Sequence, residues 1–182
     1  MNKDFISFAP FSKDVLQTIF NLTKWLKEKN PRSFKPLRDK TAAIIFEKPS
    51  LRTHVSFEVG ILQLGGQSVF LARDSVGIST RESVRDVAEV LSQYNDLIVA
   101  RTFKHEVVEE LAAYASVPVV NALPDFLHPC QVMADAYTLM ELGMFSDSTK
   151  VEFIGDGNNV VNSLLELAEK FPFHFVLACP QG

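Results

Sequence analysis

Residues 46–58 read FEKPSLRTHVSFE, a stretch that joins two apolar segments through a polar turn. The apolar run TAAIIF at residues 41–46 leads into it and is typical of a buried β-strand, whereas the apolar spacing from Val55 to Leu64 predicts a helix. The turn between them therefore presents a helix N-terminus. Unpaired N–H groups and the positive end of the helix dipole favour an anion at such a turn.

Three side chains of this turn suit a phosphate group. Ser50 and Thr53 carry hydroxyl donors, and Arg52 carries a planar guanidinium that matches phosphate oxygens. A purely structural interpretation also fits, in which Ser50 caps the helix and Arg52 is a solvated charge. Local chemistry alone leaves both interpretations open.

A second polar cluster, HPCQ at residues 128–131, stands at the start of another predicted helix. Pro129 suits the first helical turn, and His128 and Gln131 lie on one side of it because they are three residues apart. An imidazole can donate to a carbonyl oxygen and a carboxamide can accept from an NH2 group, and a carbamoyl group has one of each. Alternatively, His128 caps a turn and Gln131 is solvated.

Two more polar segments follow predicted strands. Arg101 ends the apolar run 97–100, where a parallel sheet contacts its ligands, although an exposed Arg at a strand end fits as well. GDGNN at residues 155–159 opens a helix after a strand, as dinucleotide sites do. Val160 replaces the third glycine of that pattern, and no acidic residue follows the next strand, so we set dinucleotide binding aside.

These motifs resemble those of the aspartate/ornithine carbamoyltransferase family. SLRT at 50–53, followed by VSFE, is similar to its carbamoyl-phosphate loop, usually STRTR, and HPCQ is similar to its His-Pro-x-Gln motif. DGNN at 156–159 resembles the ornithine-type members. The chain departs from the loop pattern twice. Leu51 lacks a hydroxyl but keeps its backbone N–H, and His54 stands where the usual pattern has the permanent charge of an arginine.

The resemblance implies transfer of a carbamoyl group from carbamoyl phosphate to ornithine, giving citrulline and phosphate as in arginine biosynthesis. The implied catalytic residues are Arg52, Arg101, His128 and Gln131. The implied substrate-binding residues are those four together with Ser50, Leu51, Thr53 and Asn159, the last for the amino acid. No metal or organic cofactor is implied. Another acceptor, such as N-acetylornithine or aspartate, and a non-catalytic phosphate-binding module are the alternatives.

The resemblance also bears on assembly. It implies a homotrimer in which the segment 75–83 reaches into the neighbouring active site, commonly with a polar side chain. Val76 stands near that position here, so Ser79, Thr80 or Arg81 could substitute, and a plain surface loop is the alternative.

The composition limits the remaining classes. The 182 residues are 47% hydrophobic and 22% charged with a net charge of −4, and the basic residues are scattered, which does not suggest a nucleic-acid or membrane surface. The two cysteines, Cys130 and Cys179, suit a reducing compartment. Neither a signal-peptide pattern nor an apolar run of membrane-span length is seen. We therefore expect a cytoplasmic protein.

Alternating strand and helix patterns predict a parallel α/β fold, a β-sheet flanked by helices. The predicted strands span residues 41–46, 67–72, 96–100, 117–120, 151–154 and 173–178. The predicted helices span residues 12–30, ended by Asn30–Pro31, and 55–64, 82–94, 105–115, 129–142 and 158–171, with a loop at 73–81.

We interpret residues 1–142 as a carbamoyl-phosphate-binding domain and 143–149 as a linker. Residues 150–182 then form the beginning of a second, Rossmann-like domain that binds the amino acid. Such a short strand-helix-strand unit either extends the first sheet or is a domain cut short. The resemblance favours the second alternative, because family members have two α/β domains.

Overall fold

The computed structural model describes residues 3–29, 33–78 and 80–180. The helices are α1 (Lys13–Lys29), α2 (Leu51–Gln63), α3 (Arg73–Val76), α4 (Val84–Tyr94), α5 (His105–Tyr114), α6 (Pro129–Glu141) and α7 (Asn159–Lys170). The strands are β1 (Thr41–Phe46), β2 (Gln67–Ala72), β3 (Leu97–Arg101), β4 (Val119–Asn121), β5 (Lys150–Ile154) and β6 (His174–Ala178). The predicted helix end at Asn30–Pro31 lies outside the described residues, as does Ser79.

The chain divides into two compact units. Unit 1 comprises Met1–Ile6 and Pro31–Asp125, and unit 2 comprises Ser7–Asn30 and Phe126–Gly182. All strands pair in parallel within each unit, so the predicted parallel α/β architecture is confirmed. The domain boundary expected at residues 143–149 stays a prediction.

The sheet of unit 1 has the strand order β2-β1-β3-β4. Its central strand β1 is buried on both sides, which explains the continuous apolar run. Ala43 and Ile45 belong to the core on one face, and Ile44 and Phe46 belong to the core on the other. This alternation follows from the two-residue period of a strand.

The helices of unit 1 leave the sheet toward opposite faces. Ile61 of α2 packs in the same core as Ile44, whereas Val87 of α4 and Leu111 of α5 pack in the core of Ile45. The chain therefore turns one way after β1 and the other way after β3. The carboxyl ends of these two adjacent strands consequently form a topological switch point, the usual ligand position in an open α/β sheet.

The segment expected to be a loop at 73–81 is partly helical. The single turn of α3 ends at Gly77, whose φ of 64° lies in the left-handed region that favours glycine. The carbonyl of Gly77 accepts hydrogen bonds from the N–H groups of Thr80 at 3.0 Å and Arg81 at 2.7 Å. Ile78 is buried in the core of unit 1 and anchors the segment there. A single helical turn is too short to show a periodic apolar pattern.

Most other element ends shift by one or two residues, but α2 begins at Leu51, four residues before the predicted start at Val55, because Ser50 caps it. Helix α4 begins at Val84 and not at Glu82, because the side chain of Ser83 caps it by accepting from the N–H of Asp86 at 3.0 Å. Strand β4 begins at Val119 and not at Val117.

In unit 2, β5 and β6 pair with each other and form a sheet separate from that of unit 1. Helix α1 packs here through Phe20, whose ring lies 6.4 Å from that of Tyr137 on α6 and 5.7 Å from that of Phe171 after α7. The backbone N–H of Phe8 also donates to Glu166 of α7 at 2.9 Å.

Across residues 3–29, 33–78 and 80–180, no helix is both long enough and apolar enough to cross a membrane.

Candidate functional site

The turn between β1 and α2 has the predicted form. Ser50 has an extended backbone (φ −163°, ψ 108°) and its Oγ accepts from the N–H of Thr53 at 3.4 Å, which makes it the N-cap of α2. The Ser50 hydroxyl also donates to Oγ1 of Thr53 at 3.0 Å. The cap uses the N–H of Thr53, while helix geometry leaves the N–H groups of Leu51 and Arg52 without carbonyl partners in the helix.

Arg101 lies beside this turn because Phe46 and Arg101 are opposite each other at the ends of β1 and β3. Its Nη1 donates to Oγ1 of Thr53 at 3.4 Å, and its guanidinium carbon lies 5.9 Å from the Phe46 ring centroid. Its Nε is buried and has no hydrogen-bond partner among the described residues. Burial lowers the pKa of the Arg101 guanidinium, but arginine stays charged at neutral pH. A buried cationic donor of this kind favours an anion next to it.

The position of Arg101 is fixed by the loop that follows β1. The N–H of Glu47 donates to the carbonyl of Arg101 at 2.8 Å, and the Glu47 carboxylate accepts from the N–H of Phe103 at 2.8 Å. These bonds join the two loops at the switch point. Glu47 has no sequence signal for this role, since nothing in its local pattern distinguishes it from a surface carboxylate.

The side chains of Leu51 and Arg52, the first two residues of α2, are both exposed. Leu51 is 78% exposed, so replacing a hydroxyl residue here puts no apolar bulk into the turn. Arg52 is exposed, and it forms no ion pair with the side chains that the structure describes. It is therefore available to a ligand at the N-terminus of α2.

His54, the second departure from the loop pattern, packs against β2. Its ring stacks on Phe70 with centroids 3.9 Å apart and an angle of 16°. Its Nε2 lies 3.2 Å from a carboxylate oxygen of Glu58, one helical turn later. His54 therefore ties the first turn of α2 to the neighbouring strand.

In unit 2, α7 holds the turn that carries His128. The backbone N–H of His128 donates to Oγ of Ser163 at 2.8 Å, and both residues are buried. The side-chain amide of Asn162 donates to the carbonyl of Phe126 at 3.0 Å. We therefore regard Ser163 and Asn162 as positioning residues for this turn. Their only sequence signal is that both closely follow the DGNN motif at residues 156–159.

The next residues of the motif differ in chemistry. Gln131 is exposed and its Nε2 donates to Asp135 at 2.9 Å, which leaves its carbonyl oxygen to accept from a ligand. Burial raises the pKa of the Cys130 thiol to about 12. The thiol therefore stays protonated at neutral pH and is not suited to act as a nucleophile.

The two asparagines at the start of α7 have different positions. Asn158 is the N-cap, and its carbonyl oxygen accepts from the N–H groups of Val160 at 2.9 Å and Val161 at 3.2 Å. Asn159 is the first residue of the helix and is half-buried. The side chain that caps α7 is therefore that of Asn158 and not that of Asn159.

The structure groups the predicted residues within each unit. Ser50, Leu51, Arg52, Thr53 and Arg101 lie together in unit 1, and His128, Gln131 and Asn159 belong to unit 2. No cluster of His, Cys, Asp and Glu side chains suited to a metal ion occurs within the described ranges. Hydroxyl, guanidinium and helix N–H donors at the switch point of a parallel sheet define unit 1 as an α/β fold with a candidate phosphate site.

Comparison with known families agrees with this description. The profile described as "Aspartate/ornithine carbamoyltransferase, carbamoyl-P binding domain" matches residues 3–141. The chain belongs to this family.

The names of individual relatives agree with this family assignment. The chain is 51% identical to an ornithine carbamoyltransferase of Chlorobaculum tepidum and 50% identical to a chloroplastic one of Pisum sativum, with 99% of the chain aligned in each case. It covers 55% and 49% of those proteins, so it spans about half the length of the curated relatives it matches.

Solved structures match the fold closely. The ornithine carbamoyltransferase from Thermus thermophilus has a TM-score of 0.94 at 45% identity, with 100% of this chain and 63% of that one covered. The enzyme from Pyrococcus furiosus has a TM-score of 0.94 at 40% identity, with coverages of 98% and 58%.

Proposed function

We propose that this protein transfers the carbamoyl group of carbamoyl phosphate to the side-chain amine of ornithine, giving citrulline and phosphate. The supporting observation is the donor set at the N-terminus of α2. There the Ser50 and Thr53 hydroxyls and the half-buried guanidinium of Arg101 are joined by hydrogen bonds of 3.0 and 3.4 Å. The names of the relatives support ornithine as the acceptor.

The phosphate group binds at the first turn of α2. Arg52 and the backbone N–H groups of Leu51 and Arg52 hold its oxygens, with the hydroxyls of Ser50 and Thr53 assisting. The unpartnered Nε of Arg101 completes this set of donors. Charge builds up on the phosphate as it leaves, and fixed donors stabilise that charge.

The carbamoyl group is held by His128 and Gln131. His128 donates to the carbonyl oxygen, where negative charge develops, and Arg101 and Thr53 share that task. The carbonyl oxygen of Gln131 accepts from the NH2 group. The Gln131–Asp135 hydrogen bond of 2.9 Å orients the amide for this role.

The chemistry requires no covalent intermediate with the protein. The neutral amine of ornithine attacks the carbamoyl carbon, the bond from that carbon to the phosphate oxygen breaks, and phosphate leaves with the electron pair. The attacking nitrogen then loses a proton. Asn159 contributes to holding the amino acid.

We further propose that copies of this chain assemble as a homotrimer in the cytoplasm. Supporting observations are exposed apolar side chains on α2 and on the edge strand β2, which a monomer leaves in water. They include Val55 at 46%, Val59 at 41%, Leu62 at 67%, Val69 at 48% and Phe70 at 41% exposure. Thr80 and Arg81, both exposed, are the described candidates for reaching a neighbouring site.

The function is tested by assaying citrulline and phosphate with the protein as its gene encodes it. Carbamoyl phosphate is offered with ornithine, N-acetylornithine or aspartate. We expect equimolar citrulline and phosphate with ornithine only. Phosphate release with N-acetylornithine or aspartate but not with ornithine would mean that the acceptor is that other amine. Saturable carbamoyl-phosphate binding without turnover of any amine would indicate a non-catalytic binding module.

A further inference from the structure

The ring of Phe103 lies close to two cations near the turn between β1 and α2. Lys48 Nζ is 5.1 Å from the ring centroid and the guanidinium carbon of Arg73 is 5.2 Å from it. Lys48 precedes the N-cap of α2, and Arg73 directly follows β2. Phe103 follows β3, so the ring and the two cations come from three successive loops at the carboxyl edge of the sheet.

The ring is itself held in place through its backbone. The N–H of Phe103 donates to Glu47 at 2.8 Å, and its carbonyl accepts from Lys48 Nζ at 3.3 Å. The Glu47 carboxylate is thereby engaged with the backbone of Phe103. Among the side chains that the structure describes, no carboxylate forms a salt bridge with Lys48 or Arg73.

Both cations line one cavity of about 410 Å³ beside the N-cap. Ser50 and Leu51 line the same cavity. Glu47 lines the cavity as well, but its carboxylate accepts from the N–H of Phe103, and two cations against this one carboxylate leave a net positive charge that favours an anion there. A phosphate group at the first turn of α2 is such an anion.

We propose that Phe103 is a positioning residue for phosphate binding: its ring orients Lys48 and Arg73 toward the anion at the N-terminus of α2. This inference rests on the proposed function. The attraction between a cation and an aromatic face restricts both long side chains to the edge of the site. The ring itself does not touch the ligand.

The test compares Phe103→Leu, which removes the π-face, with Phe103→Tyr, which keeps it. Inorganic phosphate is the probe in isothermal titration calorimetry, and carbamoyl phosphate is the substrate in steady-state kinetics. We expect Phe103→Leu to weaken phosphate binding about five- to tenfold and to raise the KM for carbamoyl phosphate by a similar factor. We expect kcat to change less than about twofold, and Phe103→Tyr to restore affinity.

A matched control comes from the same unit. Arg85 lies 5.1 Å from the ring of Tyr114, and both Tyr114 and Phe103 are 44% exposed. Tyr114→Leu therefore removes a similar contact outside the site, and we expect it to leave phosphate affinity unchanged.

A double-mutant cycle separates positioning from a general structural role. In a Lys48→Met, Arg73→Met background, Phe103→Leu should have no further effect on phosphate affinity, because its effect acts through those cations. An undiminished effect in that background overturns the inference, as does Phe103→Leu with wild-type affinity. If the wild-type protein binds neither probe, the proposed function fails together with this inference.

Discussion

The Nη1 of Arg101 and the Oγ1 of Thr53 are 3.4 Å apart, which joins the end of β3 to the first turn of α2. This contact links a half-buried cation to a helix N-terminus across the switch point of the sheet. Ser50, the N-cap of α2, extends this chain of hydrogen bonds by donating to Oγ1 of Thr53. A ligand bound at the turn therefore meets donors whose positions are already set before it arrives.

Removing one of the proposed phosphate donors should impair catalysis far more than stability. For Arg52→Ala we expect kcat/KM to fall by about two to three orders of magnitude, since fixed donors of this kind contribute that much. Arg52 is exposed, so the melting temperature should change little. Citrulline assays and thermal unfolding of the purified variant check this. Near-normal turnover would remove Arg52 from the mechanism.

The N-cap of α2 should have two separable roles. Ser50→Ala should lower the free energy of unfolding by about 1 kcal/mol, as for other caps, and should also weaken phosphate binding. Ser83→Ala is the matched control, because Ser83 caps α4 with the same kind of bond, 3.0 Å from the N–H of Asp86. Denaturant unfolding and phosphate titration of both variants provide the comparison. Equal phosphate affinity in the two would leave Ser50 with a structural role only.

Ser163 should control the position of His128. Ser163→Ala leaves the buried N–H of His128 without its acceptor, which should cost about 1–3 kcal/mol of stability and lower kcat at least tenfold. Both quantities are measured by denaturant unfolding and steady-state kinetics.

The control for Ser163 is Ser92→Ala. Ser92 accepts from the N–H of Ser116 at 3.1 Å in unit 1, and we expect its loss to affect stability without changing kcat. A kcat for Ser163→Ala as high as that of Ser92→Ala would show that His128 does not depend on this bond.

The two cysteines should react very differently with a thiol reagent. Cys179 is exposed, whereas Cys130 is half-buried and the burial of its thiol raises the pKa to about 12. At pH 8 we expect one thiol per chain to react in the native protein and the second only after unfolding. Cys179→Ser should abolish the fast reaction, and a fast reaction remaining in that variant would contradict the burial of Cys130.

The same shift predicts a pH dependence of stability. The folded chain keeps the Cys130 proton up to a higher pH than the unfolded chain, whose thiol has an ordinary value near 9.0. The contribution of the protonated Cys130 thiol to the free energy of unfolding is therefore complete below pH 9.0. It declines as the pH rises toward about 12. Over that range, unfolding free energies of the wild-type protein should fall more steeply than those of Cys130→Ala. Parallel curves would rule out this linkage.

Much of the fold was predictable because its signals are local. The buried run at 41–46 and the helical spacing after Val55 fixed the strand–turn–helix, and Ser50 is the N-cap that its residue type allows. The short helix at Arg73–Val76 was not predictable, since four residues cannot show a helical period. The burial of Ile78 depends on tertiary packing and has no local signal.

The candidate site was predictable only in its motif residues. Ser50, Arg52 and Thr53 stand in one string, and Arg101 follows a clear strand. The contacts made by Glu47 and Phe103 join residues that are 56 positions apart, so they emerge only when parallel strands align their ends. His54 shows the same limit, because its stacking on Phe70 depends on the pairing of β1 with β2.

The most direct measurement of the central claim is a crystal structure of the protein with a non-hydrolysable phosphonate analogue of carbamoyl phosphate. The account predicts the phosphonate at the N–H groups of Leu51 and Arg52, within hydrogen-bonding distance of Arg101, and the carbamoyl oxygen at the imidazole of His128. An analogue bound elsewhere, or bound at α2 with no contact to either Arg101 or His128, would contradict it.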